Sequence, residues 1–355
     1  MKQALLLFIA FTFFVIPHLK GQETAASSST KEEREHSFVP APYLNYSRSI
    51  GVGFGVIPMY MFQMTKGDTI SPQSLVGALG IYTTNKTYFA MGFGKLYFAE
   101  DRWRVSGAAG IGDINFQVFI DRPLVQYIDY NTNMFFAQGV VQTKVFKRLY
   151  AGPVIQYLEF LSVFGDEYTY ELATQLTGIG IDLDWDGRDN VYYPHEGVLA
   201  EVNWNSYPLF IGNEEESNSI TSAFNYFKVR QSSNDVWAHR FYGNFGLGDV
   251  SFNQQTVVGG SDLRGYTQGD YRGDGMMDVQ SEYRLNFENK MGMVFFGGVG
   301  TIYGAINEED NWTLLPSVGT GFRYLVFPEN NMNIGLDVAA GRGDWGIYFR
   351  VGEAF

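Results

Sequence analysis

Residues 277–288 decide the fold and read Met-Asp-Val-Gln-Ser-Glu-Tyr-Arg-Leu-Asn-Phe-Glu. The odd-numbered positions are mostly apolar, and every even-numbered position is polar or charged. Successive side chains of a β-strand point to opposite sides, so this segment has one apolar face and one polar face. Residues 179–186 and 198–205 repeat the pattern. The chain therefore contains strands that separate an apolar environment from a polar one.

Two folds use such strands, a solvated antiparallel sandwich and a transmembrane barrel. The composition favours the barrel: aromatic residues make up 17% of the chain, with 30 Phe and 23 Tyr, and aromatic girdles mark the lipid interfaces of barrels. Closure of a barrel also removes the exposed edges of a sheet. We predict an all-β fold, a single antiparallel transmembrane β-barrel of about 16 strands over residues 38–355, because single-chain bacterial barrels have even strand numbers.

The predicted strands are separated by clusters of Gly, Asn, Asp and Pro. They begin near these residues: Phe38, Gly51, Ser74, Thr87, Trp103, Asn133, Leu149, Leu176, Gly197, Ala223, Val236, Met277, Met291, Thr313, Asn331 and Trp345.

The N-terminus has the order of parts of a secretory signal peptide. Lys2 supplies the positive charge, and residues 4–16 form an apolar core that is too short to span a bilayer. We predict a signal peptide over residues 1–22 and a flexible leader over residues 23–37, which is rich in Ser, Ala, Glu and Lys. The chain has no cysteine, which excludes a lipoprotein anchor, disulfides and thiolate-bound metal.

The charge and the histidines argue against two other classes of protein. A formal net charge of -13 repels nucleic acid, so no nucleic-acid partner is expected. Hydrolytic barrels need a histidine beside a nucleophile or an acid. Of the four histidines, His195 lies in a turn and His239 shares the face of Trp237 and Phe241, which we expect to meet lipid. We predict no catalytic residues, no metal and no cofactor.

A long glycine-rich loop over residues 250–276 carries the sequence Gly-Gly-Ser-Asp-Leu-Arg-Gly-Tyr at 259–266, and Glu-Tyr-Arg follows at 282–284. Earlier in the chain, residues 186–197 carry a turn signature. Together these motifs resemble the BamA/TamA-type outer-membrane assembly-factor barrels, also called the bacterial surface antigen family. The matching loop residues are Gly259, Gly260, Leu263, Arg264, Gly265 and Tyr266, and the matching turn residues are Asp186, Arg188, Asp189, Asn190, Pro194 and Gly197.

The resemblance implies that the loop enters the barrel lumen and that Arg264 meets carboxylates of the inner wall. Glu282 is the matching partner, and Arg284 lies on the same inward face. A second carboxylate often follows in the family, but this chain has Gly297 or Gly298 there. We therefore expect either a weaker anchor or a contact of Arg264 with Asp182 or Asp184.

The resemblance also places the 186–197 turn on the periplasmic side, where we expect a tight turn with no further role. The last strand, with Phe349, Val351 and Phe355 on the apolar face of Trp345, resembles the signal that the barrel-assembly machinery reads. Glu353 interrupts that face. Pro40 and Pro42 weaken pairing of the first strand; they either permit a lateral gate or simply begin an ordinary strand.

The function expected from this resemblance is that of an outer-membrane protein of bacteria that aids membrane biogenesis by inserting or translocating proteins or lipids. Residues 23–37 are too few for one of the POTRA modules that the resemblance implies, so a separate periplasmic partner protein is a further expectation. Outer-membrane lipids and the barrel-assembly machinery, with this chain as its client, are the other expected partners. The alternative is a plugged channel or a structural surface protein, either of which can be oligomeric.

Overall fold

The computed structural model describes residues 36–121, 126–165, 170–230, 233–260, 262–287, 289–328 and 331–355. The predicted signal peptide and nearly all of the predicted leader lie outside these ranges. Within them, sixteen antiparallel strands close into a barrel, which confirms the predicted fold. The strands are β1 Ser37–Ser47, β2 Gly51–Phe62, β3 Ser74–Thr83, β4 Tyr88–Phe98, β5 Trp103–Ile120, β6 Gln126–Phe146, β7 Leu149–Phe164, β8 Tyr170–Asp186, β9 Gly197–Tyr207, β10 Ser217–Val229, β11 Val236–Gly248, β14 Gly275–Asn286, β15 Met291–Tyr303, β16 Leu315–Phe327, β17 Met332–Ala340 and β18 Trp345–Val351.

Two short strands, β12 Thr256–Val257 and β13 Arg272–Gly273, pair with each other in a separate sheet that is not part of the barrel wall. They belong to residues 249–274, which connect β11 to β14 and are called the lumen loop below. We call the end of the barrel where this loop leaves the wall the loop end, and the opposite end the turn end. Short 3₁₀ turns lie at Leu209–Ile211, Phe252–Gln254 and Glu308–Asp310. In the described parts of the chain, no helix has both the length and the apolar character needed to cross a membrane.

The burial of β14 shows which environment each face meets. Its polar residues Asp278, Glu282 and Arg284 are at most 2% exposed, whereas Val279 on the other face is 50% exposed. The same inversion recurs around the wall, because Phe, Trp, Ile and Val side chains dominate its exposed outer face. A sandwich in water would bury these apolar side chains, so an outer surface in contact with lipid explains the pattern.

Strand length differs strongly around the wall. Strands β5 to β8 have 16 to 21 residues, whereas β17 has 9 and β18 has 7. The sequence placed the starts of β6 and β8 at Asn133 and Leu176, but these strands begin at Gln126 and Tyr170. The extra residues at the loop end lie beyond the regular apolar alternation, which explains why the pattern did not include them.

Candidate functional site

The lumen loop crosses the inside of the barrel and bonds to opposite walls. The N–H of Gly265 donates to the hydroxyl of Tyr348 on β18 at 2.9 Å. At the other side, Asn253 shares a 2.8 Å hydrogen bond with Ser162 on β7. Strands β7 and β18 lie far apart in the order of the sheet. The loop therefore fills the loop end of the lumen, as the resemblance implies.

Arg264 at the tip of the lumen loop is fully buried and bound by two carboxylates. Its Nη2 lies 2.6 Å from Oε1 of Glu282, and its Nη1 lies 2.6 Å from Oδ2 of Asp337 on β17. Its guanidinium carbon also lies 3.4 Å from the ring centroid of Phe296. A guanidinium that has left water needs such partners, and two carboxylates at hydrogen-bond distance supply them.

The anchor extends into a network of arginines and carboxylates on the inner wall. Arg284 donates twice to Oε2 of Glu282, each time at 3.0 Å. Asp337 also receives Arg323, at 2.5 Å, and Arg350, at 2.8 Å. Each buried carboxylate thus binds more than one arginine, and the tip of the lumen loop is one part of a network that joins β14, β16, β17 and β18.

The second partner of Arg264 corrects a sequence expectation. Neither Asp182 nor Asp184 bonds to Arg264, because the loop tip lies against β14 and β17. Asp182 instead accepts from Gln142 at 2.5 Å and from Asn203 at 2.6 Å. The signal for Asp337 was present, since it is the lone charged residue of the largely apolar β17 segment, residues 332–340.

The other residues of the loop motif shape its tip. Gly259, Gly260 and Gly265 have φ of 122°, 70° and 99°, which glycine adopts at little cost. At Gly265 a Cβ would also lie 2.6 Å from the backbone of Ala340, so the loop backbone packs directly on the wall. Leu263 and Tyr266 are buried in one apolar cluster, and the Tyr266 hydroxyl donates to Pro316 O at 2.6 Å. Ser261 lies outside the described residues.

The turn after β8 is built by its own acidic and amide side chains. Asp186 binds Arg188 at 2.9 Å and Arg104 of β5 at 2.7 Å. Asp189 accepts from the backbone of residues 195 and 196, and Asn190 accepts from that of residues 192 and 193. Pro194 is buried, and Gly197 has a φ of 116°.

This segment is more than the tight turn that we expected from its sequence. The hydroxyl of Tyr192 donates to the carbonyl of Gln73 at 2.5 Å, and Tyr193 bonds to the side chain of Asn286 at 3.1 Å. Gln73 precedes β3 and Asn286 ends β14, on either side of β8 in the sheet order. Residues 187–196, which we call the strap, thus cross the turn end. Burial raises the pKa of both strap tyrosines. The pair of aromatic residues in a turn was the sequence signal for this packing.

The C-terminal residues correct a second expectation. Trp345, Phe349 and Val351 alternate along β18 as predicted, but β18 ends at Val351. Gly352 has a φ of 77° and donates its N–H to Asn333 O at 2.7 Å, which turns the following residues inward.

The inward turn moves both residues that the sequence placed on the outer face. The ring of Phe355 packs on the inward-facing cluster of Leu199, Phe227 and Ala238, and its carbonyl accepts from Arg284 at 2.6 Å. Glu353 is a lumen residue as well, since it lies 2.8 Å from Arg323.

The seam that closes the barrel is short. Strands β1 and β18 pair only through Asn45 with Tyr348 and Tyr46 with Ile347, both near the loop end. By contrast, β17 and β18 share seven paired residues, and β1 and β2 share eleven. The part of β1 nearer the turn end, residues 37–44, therefore has no strand partner on its seam side within the described residues.

A cavity of about 600 Å³ lies in the lumen against the β4 to β11 wall. It is lined by charged groups from several strands, including Lys95, Asp184, Glu201 and Arg240. Among the residues that the structure describes, Lys95 and Glu201 form no ion pair within 4 Å. Other lining groups are bonded, since Asp182 accepts from Gln142 and Asn203 and Arg240 lies 3.4 Å from Asp262. The cavity thus combines bonded polar groups with two charged groups that lack an ion pair.

This fold and this site define a class of protein. It is a transmembrane β-barrel whose lumen is filled by an arginine-anchored loop between the eleventh and twelfth wall strands. The family model of the Omp85 superfamily domain matches residues 67–355. The chain belongs to the Omp85 superfamily, and the resemblance seen in its motifs is confirmed.

Solved structures show the same fold. The chain superposes on BamA from Haemophilus ducreyi lacking POTRA domains 1-3, with a TM-score of 0.58, 12% identity and coverage of 89% of this chain and 70% of that one. It also superposes on CdiB from Acinetobacter baumannii (TM-score 0.60, 10% identity, 90% and 60% coverage) and CdiB from Escherichia coli (0.57, 9%, 87% and 62%). The chain thus spans about three fifths of the two CdiB chains. A search of curated proteins found no match.

Proposed function

We propose that this protein acts in the bacterial outer membrane and aids its biogenesis by inserting or translocating proteins or lipids through an opening of the β1–β18 seam. The observation that carries the proposal is the seam itself. It has two residue pairs, whereas the adjoining strands β17 and β18 share seven. Membership of the Omp85 superfamily and the likeness to BamA and CdiB barrels support the same class of activity.

The prolines of β1 weaken the seam further. The backbone N–H and carbonyl of Val52 in β2 both bond to Thr84, on the side of β3. The backbone groups of the even-numbered residues of β2 therefore point toward β3, and those of the odd-numbered residues point toward β1. Their partners in β1 are also odd-numbered, which leaves Pro40 and Pro42 facing the seam. Because proline has no N–H, even a fully closed seam lacks two donors there.

The seam residues, the Arg264 anchor and the C-terminal strand have separate proposed roles. The lumen loop supports the seam from inside, since Gly265 binds Tyr348 on β18. Phe349 and Val351 remain in β18 as part of the proposed assembly signal, half-buried against residues of β1 and β2, with the barrel-assembly machinery as the expected partner. A separate periplasmic protein would deliver clients at the turn end, where the strap lies.

A disulfide that locks the seam tests the proposal. The chain has no cysteine, so the pair Tyr46→Cys and Ile347→Cys can be oxidised without competing thiols. We expect the locked protein to fail in restoring the outer-membrane protein content of a deletion strain, and the activity to return on reduction. A matched lock between Phe224→Cys and Phe241→Cys, which are partners in β10 and β11, should leave activity intact.

Full activity of the locked protein would instead favour a plugged channel or a structural surface protein. The charged cavity against the β4 to β11 wall is the observation that supports a channel. Single-channel recording in planar bilayers distinguishes these outcomes, because a channel conducts with the seam locked and a structural protein does not conduct.

A further inference from the structure

The outer wall at the turn end carries a polar pair in an apolar surface. His239 of β11 and Ser281 of β14 are strand partners, and Nδ1 of His239 lies 2.8 Å from Oγ of Ser281. His239 faces outward with Trp237 and Phe241, as the sequence predicted. Ser281 was not connected with it because 42 residues separate the two. Polar groups on a lipid-facing wall cost free energy and are therefore usually retained for a function.

Cationic and aromatic side chains lie next to this pair, two to four residues nearer the turn end. Lys228 of β10 is exposed and is the strand partner of Trp237, and Arg230 donates to the hydroxyl of Tyr283 at 3.2 Å. Trp and Tyr are typical of the level of lipid headgroups. Lys228 has no ion pair within the described ranges. The nearby carboxylate, Asp235, is buried and accepts from Tyr283 at 2.9 Å.

The wall is also recessed beside the polar pair. Gly297 of β15 is the strand partner of Ser281, and a Cβ at this position would meet no atom nearer than 3.5 Å. On either side of it along β15, Phe295 and Val299 point outward and are exposed. The missing side chain therefore leaves a shallow depression that is framed by two apolar residues and has a polar group on one side.

From these three features, the polar pair, the cations and the depression, we propose that the wall formed by β10, β11, β14 and β15 binds an anionic phospholipid. Lys228 and Arg230 hold its phosphate, the His239–Ser281 pair bonds to the ester oxygens, and an acyl chain lies in the depression at Gly297.

The spacing and the order of these features fit such a lipid. Two residues of a strand span ~7 Å, which matches the step from phosphate to ester. Two residues farther toward the middle of the wall, the outer face is wholly apolar. Four exposed residues are paired in a row across the strands there: Phe224, Phe241, Val279 and Val299.

Native mass spectrometry of the full chain tests the proposal. The protein is taken from vesicles that contain equal amounts of phosphatidylglycerol and phosphatidylcholine, and the retained lipids are counted. We expect one phosphatidylglycerol to be retained in preference to phosphatidylcholine. Removing a cation near a membrane surface weakens anionic-lipid binding about fivefold, so Lys228→Gln should lower retention by that factor and a double change with Arg230→Gln should abolish the preference.

A second variant separates the depression from the charges. Gly297→Leu fills the recess without a close contact and should remove the retained lipid, whereas Gly139→Leu, on an exposed position of β6 with open space around it, should leave it in place. Equal retention of both lipids, or retention that survives Gly297→Leu and the double change, would overturn the proposal. Heat-modifiability on gels confirms that each variant is folded, and none of these residues belongs to the seam.

Discussion

Both halves of the lumen wall contain buried ion pairs, since Asp186 binds Arg104 and Arg188 on the β4 to β11 half, but they differ beside the loop tip and beside the cavity. On the β14 to β18 half, buried arginines and carboxylates bind one another and the tip of the lumen loop at 2.5 to 3.0 Å. On the β4 to β11 half, Lys95 and Glu201 line a cavity and form no ion pair in the described part of the chain. Removing one member of the paired group should be costly, because its partners stay buried, whereas Lys95 and Glu201 have no ion-pair partner to lose.

The position of the paired group is as informative as its chemistry. Strands β17 and β18 stand at the seam, and the lumen loop binds both of them through Arg264 and Gly265. The loop therefore fixes the side of the barrel that is proposed to move, and it also bonds to the opposite side through Asn253 and Ser162 of β7. Variants of the two halves should differ in how much they change stability.

The largest effect is expected for Arg264→Ala. It removes one hydrogen bond from Glu282 and one from Asp337, and a hydrogen bond to a charged group is worth about 1.5–3 kcal/mol, although both carboxylates keep other arginines. Urea unfolding in detergent micelles should show this loss, and proteolysis should cut the lumen loop faster. Arg102→Ala, at an exposed arginine before β5, is the matched control. An unchanged unfolding free energy for Arg264→Ala would contradict the anchoring role.

Tyr348→Phe should have the second largest effect. It removes the acceptor of the Gly265 N–H inside the lumen, and a buried donor left unpaired costs about 1–3 kcal/mol. The same unfolding experiment measures it, with Tyr82→Phe on the exposed outer face as the control. If both variants lose the same stability, the contact between the lumen loop and β18 contributes nothing.

Tyr192→Phe tests the strap and should cost about 1 kcal/mol, the net value of one hydrogen bond. The lost bond to Gln73 lies at the turn end. The substitution should therefore speed amide exchange in the strap more than in the lumen loop. Hydrogen exchange with peptide-level readout checks this. Equal exchange in both segments would show that the strap is not held by this contact.

The smallest effect is expected for Lys95→Met in the cavity. No ion pair is lost, so the unfolding free energy should change by no more than ~0.5 kcal/mol, as for surface substitutions. A loss as large as that of Arg264→Ala would mean that both halves of the wall depend equally on their charges, and the comparison would fail.

Much of the fold was predictable because the alternation of side chains is a local property. Gly51, Trp103, Leu149 and Val236 begin strands where the sequence placed them. Strand β10 begins at Ser217 rather than Ala223, because five of its first six residues are polar and lack the alternating pattern.

The contacts of the site were predictable only between residues that lie close together in the sequence. Glu282 lies 18 residues after Arg264 and faces inward by alternation. Asp337 lies 73 residues away, and its contact depends on the curvature of the closed wall. The inward path of Phe355 depends on the backbone of one residue, Gly352, which side-chain periodicity does not describe.

The two paired residues of the seam lie at one end of β1, and this position has a mechanical consequence. A seam whose strand pairing in the described chain is confined to Asn45 and Tyr46, with side-chain packing such as that of Tyr43 on Phe349 farther along, would part as a wedge, widest beside Phe38 and narrowing to a hinge near Ser47. The membrane leaflet at the wide side would meet the opening first. A molecule passing sideways would thus enter from one leaflet, and the hinge would draw the strands back into register afterwards.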